Sequence, residues 1–268
     1  MILALDTGNS HIVMGIIHTD GRIGPTMRME TNHTKTEYEY AAEMKLILEL
    51  AGVDIRECEG AIISSVVPPV TPVLKKAVKI LSGMEAIVVG AGVKTGIDIG
   101  LDDPGTIGAD LVATAVAAKN YYPLPCIIID MGTATTITVV NDKGRYIGGC
   151  IMPGVNLSLN ALTEGTSLLP GIDLVLPQKT ISTNTGDAIK TGIIFGASGA
   201  LDGVLDRYLE ELGENTSIVA TGGLSRMICP VCRHEIELDE NLLMRGLWVI
   251  WEKTMKSRSR KKRDLKEV

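Results

Sequence analysis

The sequence predicts an α/β protein with two similar lobes, because one strand–turn–strand unit occurs in each half of the chain. In the second half, an apolar run enters Asp130-Met131-Gly132-Thr133, and an alternating β-branched run follows to Val140. Near the N-terminus, Ile2 to Leu5 lead into Asp6-Thr7-Gly8-Asn9-Ser10, and a second apolar run extends from His11 to Ile17. Each unit is typical of a buried strand, a tight turn and a returning strand. The repeat predicts two lobes that each present an Asp-x-Gly hairpin to a shared cleft.

The chemistry of the two turns indicates a phosphate ligand that is bound together with a cation. Gly132 lets a ligand approach the backbone, and threonine hydroxyls and turn N–H groups supply hydrogen-bond donors. A carboxylate such as Asp130 is a poor neighbour for phosphate unless a cation lies between them. Taken alone, either unit is equally compatible with an ordinary hairpin, since glycine is common in hairpin turns.

Composition and charge limit the class of protein. The 268 residues are 45% hydrophobic and 22% charged, which is typical of one large or two medium globular domains. The net charge of −6 argues against nucleic acid as the main partner. Apolar runs stay below the ~18–20 residues of a transmembrane helix, and Asp6 comes too early for the apolar region of a signal peptide. We therefore expect a cytoplasmic protein without a membrane partner.

Around the first hairpin, we predict strands over 22–29, 61–67 and 85–89 and helices over 36–52 and 73–81. Thr36 and Glu39 have the spacing of a capping box, which marks the start of the first helix. Pro68-Pro69 ends the second of these strands, since proline cannot donate to a strand ladder.

Asp110 lies where an alanine-rich helix is predicted to begin. Asp103-Pro104-Gly105 is a turn pattern, and Gly108-Ala109-Asp110 then opens a helix that extends to about Asn120. An acid in a first helical turn is commonly only a favourable partner of the helix dipole. The alternative is a general base beside a phosphate site, and the local pattern does not choose between the two.

In the second half, we predict strands over 146–151 and 217–220 and a long helix over 188–212. Gly148-Gly149 indicates close backbone packing or, equally, a bulge. The last strand ends at Thr221-Gly222-Gly223, a turn that can present a flat face to a nucleotide base or ribose.

The cysteines and the C-terminal charges carry less specific information. Five scattered cysteines do not form a disulfide framework. Cys229 and Cys232 form a single Cys-x-x-Cys near His234, and a structural zinc usually needs four ligands, so we expect free thiols. We expect an N-terminal lobe over 1–118, a C-terminal lobe over 119–256 and a basic, disordered tail over 257–268.

The two Asp-x-Gly hairpins and the late Gly-Gly turn resemble the superfamily of actin, sugar kinases, acetate kinase and the heat-shock ATPases. Within it, nearly the full length of the chain resembles the type III pantothenate kinases. The motifs that carry this resemblance, in order, are Asp6-Thr7-Gly8-Asn9-Ser10, Ser64-Ser65-Val66-Val67-Pro68-Pro69, Lys94-Thr95-Gly96-Ile97, Asp103-Pro104, Gly108-Ala109-Asp110, Asp130 to Thr136, Gly148-Gly149, Pro153-Gly154, Asn184-Thr185 and Ala220-Thr221-Gly222-Gly223. The resemblance implies two RNase H-like lobes of mixed sheet flanked by helices, the architecture of actin-like ATPases and sugar kinases.

The same resemblance implies ATP-dependent phosphorylation of pantothenate to 4′-phosphopantothenate, the first step of coenzyme A biosynthesis. It assigns Asp110 as the general base that takes the proton of the primary hydroxyl group. The positions that would bind ATP are Asp6, Thr7, Gly8, Asn9, Ser10, His11, Ile12, Val13, Thr133, Gly222 and Gly223. The positions that would bind the acceptor are Leu101, Gly108, Ala109, Asp110, Leu111 and Thr185.

The resemblance also implies cations and a second copy of the chain. Asp6 would act on Mg²⁺ through water, and Asp130 would bind a monovalent cation, K⁺ or NH₄⁺, which explains an acid that faces phosphate. Family members are homodimers whose interface helps to form the substrate site. Phosphoryl transfer relies mainly on positioning and charge neutralisation, with one carboxylate aimed at the nucleophile, and the retained acids fit that requirement.

Two positions depart from the family pattern in the acceptor site. The family has arginine where this chain has Leu111, and tyrosine where it has Leu101. Both side chains normally contact pantothenate, whose carboxylate suits a guanidinium. Three hypotheses therefore stand: a pantothenate kinase with a variant pocket, a kinase of the same fold for another small alcohol, and a non-catalytic nucleotide-binding regulator. Retention of Asp6, Asp110 and Asp130 speaks against the third, because acids are costly to bury without a function.

Overall fold

The computed structural model describes residues 1–264, with side chains to residue 259, and divides the chain into two compact units. The first comprises Met1–Asn120 together with the segment from Asn241 onward, and the second comprises Tyr121–Glu240. The second unit is thus inserted into the sequence of the first.

The first unit is built on a mixed sheet. Its strands are β1 (Ile2–Thr7), β2 (His11–Ile17), β3 (Ile23–Glu30), β4 (Gly60–Ser65) and β5 (Ile87–Val88), in the spatial order β3-β2-β1-β4-β5. The first hairpin makes β1 and β2 antiparallel, β3 continues antiparallel to β2, and β4 pairs parallel to β1. The predicted hairpin and third strand are confirmed.

Helices cover the two faces of this sheet. They are α1 (Glu37–Leu50), α2 (Thr71–Ser82) and α3 (Ala109–Tyr121). The same part of the chain also contains 3-10 turns at Ile55–Glu57 and Pro104–Thr106 and a short strand, β6 (Asp98–Ile99). Both halves of the predicted capping box form, since Thr36 N–H donates to Glu39 Oε2 at 2.8 Å and Glu39 N–H to Thr36 Oγ1 at 3.4 Å. Alternation along β1 sends Leu3 and Leu5 to a core shared with α1 and α2.

The second unit repeats the hairpin in another mixed sheet. Its strands are β7 (Cys126–Met131), β8 (Ala134–Val140), β9 (Arg145–Pro153), β10 (Ser217–Thr221) and β11 (Glu237–Leu238), which neighbour one another in the order β11-β10-β7-β8-β9. β7 is antiparallel to β8 and parallel to β10. Gly149 packs closely on β8, and the register also shifts between Val139 and Val140, so close packing and a bulge both occur in this hairpin.

The helices of the second unit are α4 (Val155–Glu164), α5 (Thr185–Leu212) and α6 (Ser225–Ile228), followed by a 3-10 turn at Cys229–Val231. Ile194, Leu201 and Leu205 of α5 pack on Ile127 and Ile129 of β7 to form one core. By length and composition alone α5 is also apolar enough to cross a membrane, which differs from the expectation drawn from uninterrupted apolar runs. That is weak evidence, because core helices of soluble proteins meet the same criterion.

The last helix, α7 (Leu242–Asp264), returns to the first unit. Leu247 and Ile250 of α7 join Ile2, Ala4 and Ile62 in the core on the sheet face opposite α1 and α2. This corrects two boundary expectations. Residues 241–256 belong with the first unit, because their apolar face packs there, and residues 257–264 of the expected disordered tail are helical. Residues 265–268 of that tail lie outside the described residues.

Candidate active site

The first Asp-x-Gly turn is held closed by backbone and threonine hydrogen bonds. Gly8 N–H donates to the His11 carbonyl at 3.0 Å, and Thr31 N–H donates to the Ser10 carbonyl at 3.0 Å. The Thr31 hydroxyl, which is buried, donates to the Gly8 carbonyl at 2.7 Å. The turn is therefore a pre-formed concavity at the end of β1 rather than a loose loop.

Strand register aligns four side chains on one face of the first sheet. Asp6 lies opposite Val13 of β2 and beside Ser64 of β4, and Val13 lies opposite Arg28 of β3. We call Ser64, Asp6, Val13 and Arg28 the first row. The outer end of this row borders a cavity of about 560 Å³ that is lined by Asn9, Ser10, His11, Arg28, Met29, Glu30 and Thr31.

Val66 connects the neighbourhood of Asp110 to this turn. Val66 N–H donates to the Thr7 carbonyl at 3.1 Å, which continues the β1–β4 pairing past the end of β4. A methyl group on Gly108 would lie 3.3 Å from Val66 Cγ1 and only 2.3 Å from Asp110 Oδ1. Gly108 therefore leaves the space that the Asp110 carboxylate uses, and Thr7, Val66 and Gly108 link the hairpin to Asp110.

The environment of Asp110 suits a general base. Burial raises the pKa of its carboxyl group above the ordinary value of 3.8, and hydrogen bonds from backbone N–H groups, Leu111 first, oppose the rise. Leu111 N–H donates to Asp110 Oδ1 at 2.8 Å, which fixes the direction of the carboxylate. An aspartate with a raised pKa and a fixed orientation is a stronger base than one on the surface.

The second hairpin places Asp130 between two threonines. Asp130 of β7 is in register with Thr136 of β8 and Thr221 of β10, and Thr136 lies opposite Ile151 of β9. We call Thr221, Asp130, Thr136 and Ile151 the second row. Carboxylate and hydroxyl oxygens that lie side by side on neighbouring strands are a donor set suited to a hard cation.

Two glycines of the second unit pack against the Asp130 turn. A methyl group on Gly154 would lie 2.2 Å from the Thr133 carbonyl oxygen. Gly222 has φ +94°, and a methyl group there would lie 2.6 Å from the Met131 carbonyl oxygen. The Gly-Gly turn after β10 therefore packs directly against the end of β7.

The remaining predicted positions are distributed over both units. Ala109, Leu101 and Leu111 are half-buried in the first unit. Thr185 begins α5, whose N-cap Asn184 accepts a hydrogen bond from Asp187 N–H at 2.9 Å, and Thr133 is exposed in the second turn. Sequence reasoning did not single out Arg28. Its strand was predicted, but the pairing that sets it in line with Asp6 was not.

The five cysteines are free thiols. Burial raises the pKa of Cys229 to about 11 and that of Cys232 to about 12, with Asp202 adding to the second shift. Both thiols are therefore protonated at neutral pH and are weak nucleophiles.

Comparison with known proteins identifies the family. The sequence model described as type III pantothenate kinase matches residues 2–207. A type III pantothenate kinase of Koribacter versatilis is 39% identical over 271 residues, and the alignment covers 98% of each chain. The chain belongs to the type III pantothenate kinase family. It is accordingly a phosphotransferase with an alcohol acceptor, and pantothenate phosphorylation in coenzyme A biosynthesis is the activity that its family membership supports over the two alternative hypotheses.

Solved structures confirm the predicted fold of this kinase. A Campylobacter jejuni protein assigned to the Baf family of transcriptional activators superposes with a TM-score of 0.57 at 17% identity, covering 95% of this chain and 99% of its own. Component A of the (R)-2-hydroxyglutaryl-CoA dehydratase of Acidaminococcus fermentans also gives 0.57, at 13% identity and 96% and 98% coverage. At such identities the likeness concerns the fold alone, which is the actin-like ATPase and sugar kinase architecture.

Proposed function

We propose that this kinase transfers the γ-phosphoryl group of ATP to the 4′-hydroxyl of pantothenate, with Asp110 as the general base. The proposal rests on the half-buried carboxylate of Asp110, which Val66 and Gly108 link to the first Asp-x-Gly turn. A base beside the turn can accept the hydroxyl proton as the oxygen attacks phosphorus, and a turn rich in N–H groups can hold the phosphates in line.

The residues of the two hairpins have different roles in this proposal. The first turn, from Asp6 to Val13, holds the phosphates through backbone N–H groups and short polar side chains. Thr133 of the second turn adds a hydroxyl contact, and Gly222 and Gly223 form the flat surface for the adenosine. The acceptor binds along Gly108, Ala109 and Thr185.

The residues present fit the two cations that this chemistry requires. The described residues contain no cluster of three or more His, Cys, Asp or Glu side chains that could hold a metal on its own. Mg²⁺ commonly needs only one or two carboxylates because phosphate oxygens and water complete its shell. Asp6 fits this role, and beside it in the first row the buried Ser64 hydroxyl has no hydrogen-bond partner among the described residues.

The second row fits a monovalent cation, K⁺ or NH₄⁺. Asp130 supplies the charge, and the hydroxyls of Thr136 and Thr221 supply neutral oxygen ligands. When bound, the two cations neutralise phosphate charge, which lowers the repulsion between ATP and an incoming hydroxyl oxygen.

We further propose that the kinase is a cytoplasmic homodimer that binds neither nucleic acid nor membrane. Several large apolar side chains of the second unit are exposed: Ile151, Leu157, Leu168, Val175, Leu176 and Ile181. Covering these side chains in an interface between two copies would favour association, since burial of apolar surface is favourable. Sedimentation equilibrium at micromolar concentration should give twice the chain mass of 28.6 kDa. A monomer under these conditions would contradict the dimer.

Product analysis by mass spectrometry tests the proposed reaction. The chain is incubated with ATP, Mg²⁺ and K⁺, with and without pantothenate, and phosphorylated pantothenate is expected only when both substrates are present. The Asp110→Asn variant is assayed in parallel, and Asp98→Asn, which changes an exposed acid of β6, is its matched control. Binding of ATP without phosphopantothenate would reject pantothenate as acceptor and favour another small alcohol. A lack of ATP binding would reject the kinase itself.

A further inference from the structure

We propose that Arg28 binds the terminal phosphates of ATP, on the side of the phosphate turn opposite Asp6. The inference rests on the proposed use of ATP, and it adds a residue that neither the Asp-x-Gly pattern nor the acceptor motifs contain. Arg28 lies near the end of β3, 17 positions beyond His11 in the sequence. It reaches the site only because β3 folds back along β2.

Register supplies the first argument. Asp6, Val13 and Arg28 are direct cross-strand neighbours on β1, β2 and β3, so their side chains leave the same face of the sheet. Neighbouring strands are ~4.8 Å apart, which places the backbones at Asp6 and Arg28 roughly 10 Å from each other across Val13. Val13 is partly buried against the core that includes Leu247 and Ile250, and it has no polar group that would compete for a ligand. Phosphates bound at the turn would then have a carboxylate-bound metal at one end and the Arg28 guanidinium at the other.

The cavity supplies the second argument. Arg28 lines the cavity of about 560 Å³ together with Asn9, Ser10 and His11, the turn residues assigned to the phosphates. The cavity also contains Glu30, which repels phosphate, but Lys35 lies close enough to Glu30 to feel its charge. Arg28 is the only arginine or lysine among the described residues that line this cavity, and Asn9 and Ser10 contribute uncharged donors.

The state of Arg28 supplies the third argument. Its side chain is exposed and forms no hydrogen bond or ion pair with any described residue. Arg22 and Arg56, by contrast, are each held by an aspartate two positions away, at 2.8 Å and 2.7 Å. A guanidinium without an internal partner keeps all its donors for a ligand, and its planar fork matches two phosphate oxygens at once.

The decisive experiment measures binding and turnover of the full chain with two variants and one control. Arg28→Gln removes the charge, Arg28→Lys keeps it without the planar fork, and Arg22→Gln removes an equal charge from the same hairpin. Calorimetry gives the Kd of ATP and of adenosine for each protein, and steady-state kinetics give KM for ATP and for pantothenate. Circular dichroism checks that each variant is folded.

The expected result is specific to the phosphates. Arg28→Gln should raise the Kd and KM of ATP about tenfold or more, since charge-assisted bidentate bonds are among the stronger polar contacts. Its Kd for adenosine and KM for pantothenate should equal those of the wild type. Arg28→Lys should recover part of the loss, and Arg22→Gln should behave as wild type.

Other results would overturn the assignment. Unchanged ATP affinity in Arg28→Gln, an equal loss for ATP and adenosine, or a rise in the KM of pantothenate alone would each do so. The last result would make Arg28 the partner of the acceptor carboxylate instead. Failure of this inference can be distinguished from failure of the proposed function, because the calorimetric measurements with ATP and adenosine need no turnover. A wild type that binds ATP through Arg28 but forms no phosphopantothenate keeps this inference and loses the acceptor, and one that binds no ATP loses both.

Discussion

The two Asp-x-Gly hairpins share a backbone plan but differ in the side chains around their carboxylates. In the first row, Asp6 has the serine Ser64 on one side and the apolar Val13 on the other, with Arg28 beyond. In the second row, Asp130 has a threonine on each side, and the outer position is the exposed apolar Ile151.

This difference indicates how the same strand–turn–strand pattern can suit two kinds of ion. An acid next to an apolar strand and an arginine suits a metal that is itself bound to an anion. An acid between two hydroxyls suits a cation that takes several of its ligands from the protein. In the proposed function, the repeat positions the two carboxylates, and the residues of the neighbouring strands determine which ion each carboxylate binds.

Asp110 belongs to neither row. Its replacement tests whether the two rows bind the ligands while Asp110 removes the proton from the acceptor hydroxyl. Asp110→Asn should lower kcat by about 10²–10⁴, the usual contribution of a general base, with the Kd of ATP nearly unchanged. Rapid-quench turnover and calorimetry measure the two quantities. Normal turnover would remove Asp110 as the base.

The same residue makes a prediction for pH. Because burial raises the pKa of Asp110, the carboxylate should become protonated at a pH above the 3.8 of an ordinary aspartate. As the pH decreases, kcat/KM should therefore begin to fall at a pH above 3.8. A raised folded-state pKa also means that the ionised carboxylate destabilises the native state at neutral pH. Asp110→Asn should therefore have a higher Tm than wild type at pH 7, and this difference should disappear in acid. A lower Tm at pH 7 would contradict the assigned cause of the shift.

The second row predicts a response to the monovalent cation that the first row does not. Replacing K⁺ by Na⁺ should raise the KM of ATP about tenfold, equivalent to ~1.4 kcal/mol. In Asp130→Asn that difference should vanish, and Thr136→Val, which gives the second row the apolar neighbour of the first, should reduce it. Thr138→Val is the control, since the Thr138 hydroxyl is buried without a partner among the described residues. Indifference of the wild type to the cation would break the comparison.

The acceptor site offers a gain-of-function variant that leaves both rows intact. Leu111→Arg restores the family's guanidinium, which should lower the KM of pantothenate about threefold to tenfold through a charge-assisted hydrogen bond. The KM of ATP should not change. Pantothenate titrations at saturating ATP measure the effect, and a higher KM would show that the pocket has repacked around leucine.

Replacement of the turn glycines Gly8 and Gly132 gives the smallest expected change in stability. A methyl group would meet only ordinary contacts at Gly8 (3.4 Å) and at Gly132 (3.5 Å). Gly8→Ala and Gly132→Ala should therefore change the free energy of unfolding by less than about 1 kcal/mol, while each weakens ATP binding because the ligand needs the space. Gly222→Ala should cost several times more, about 1–3 kcal/mol, since it combines positive φ with a backbone clash. Urea unfolding of the three variants checks the order.

Much of this arrangement is readable from local sequence. The Asp-x-Gly repeat, the Thr36–Glu39 capping box and the helix that opens at Gly108 are all short-range patterns, and the structure confirms each. Turn and cap chemistry is set by residues within four positions of one another, so a single sequence suffices to predict it.

What was missed depends on pairing between distant segments. Arg28 becomes a site residue only through the register of β3 on β2, and a shift of one residue would turn it to the opposite face. The position of α7 depends on apolar contacts with β1 and β4, which precede it by about 180 residues or more. Its basic C-terminal part suggested disorder, but helix continuation from a packed segment outweighs local charge up to Asp264.

The return of α7 has a consequence for synthesis on the ribosome. Translation proceeds at about 5–20 residues per second, so the sheet face that carries Ile2, Ala4 and Ile62 emerges roughly ten seconds or more before Leu247 and Ile250 can cover it. During that interval the inserted unit can complete its own core, whereas α3 covers only part of this apolar face of the first unit. The unit whose synthesis begins first is thus the last to complete its core.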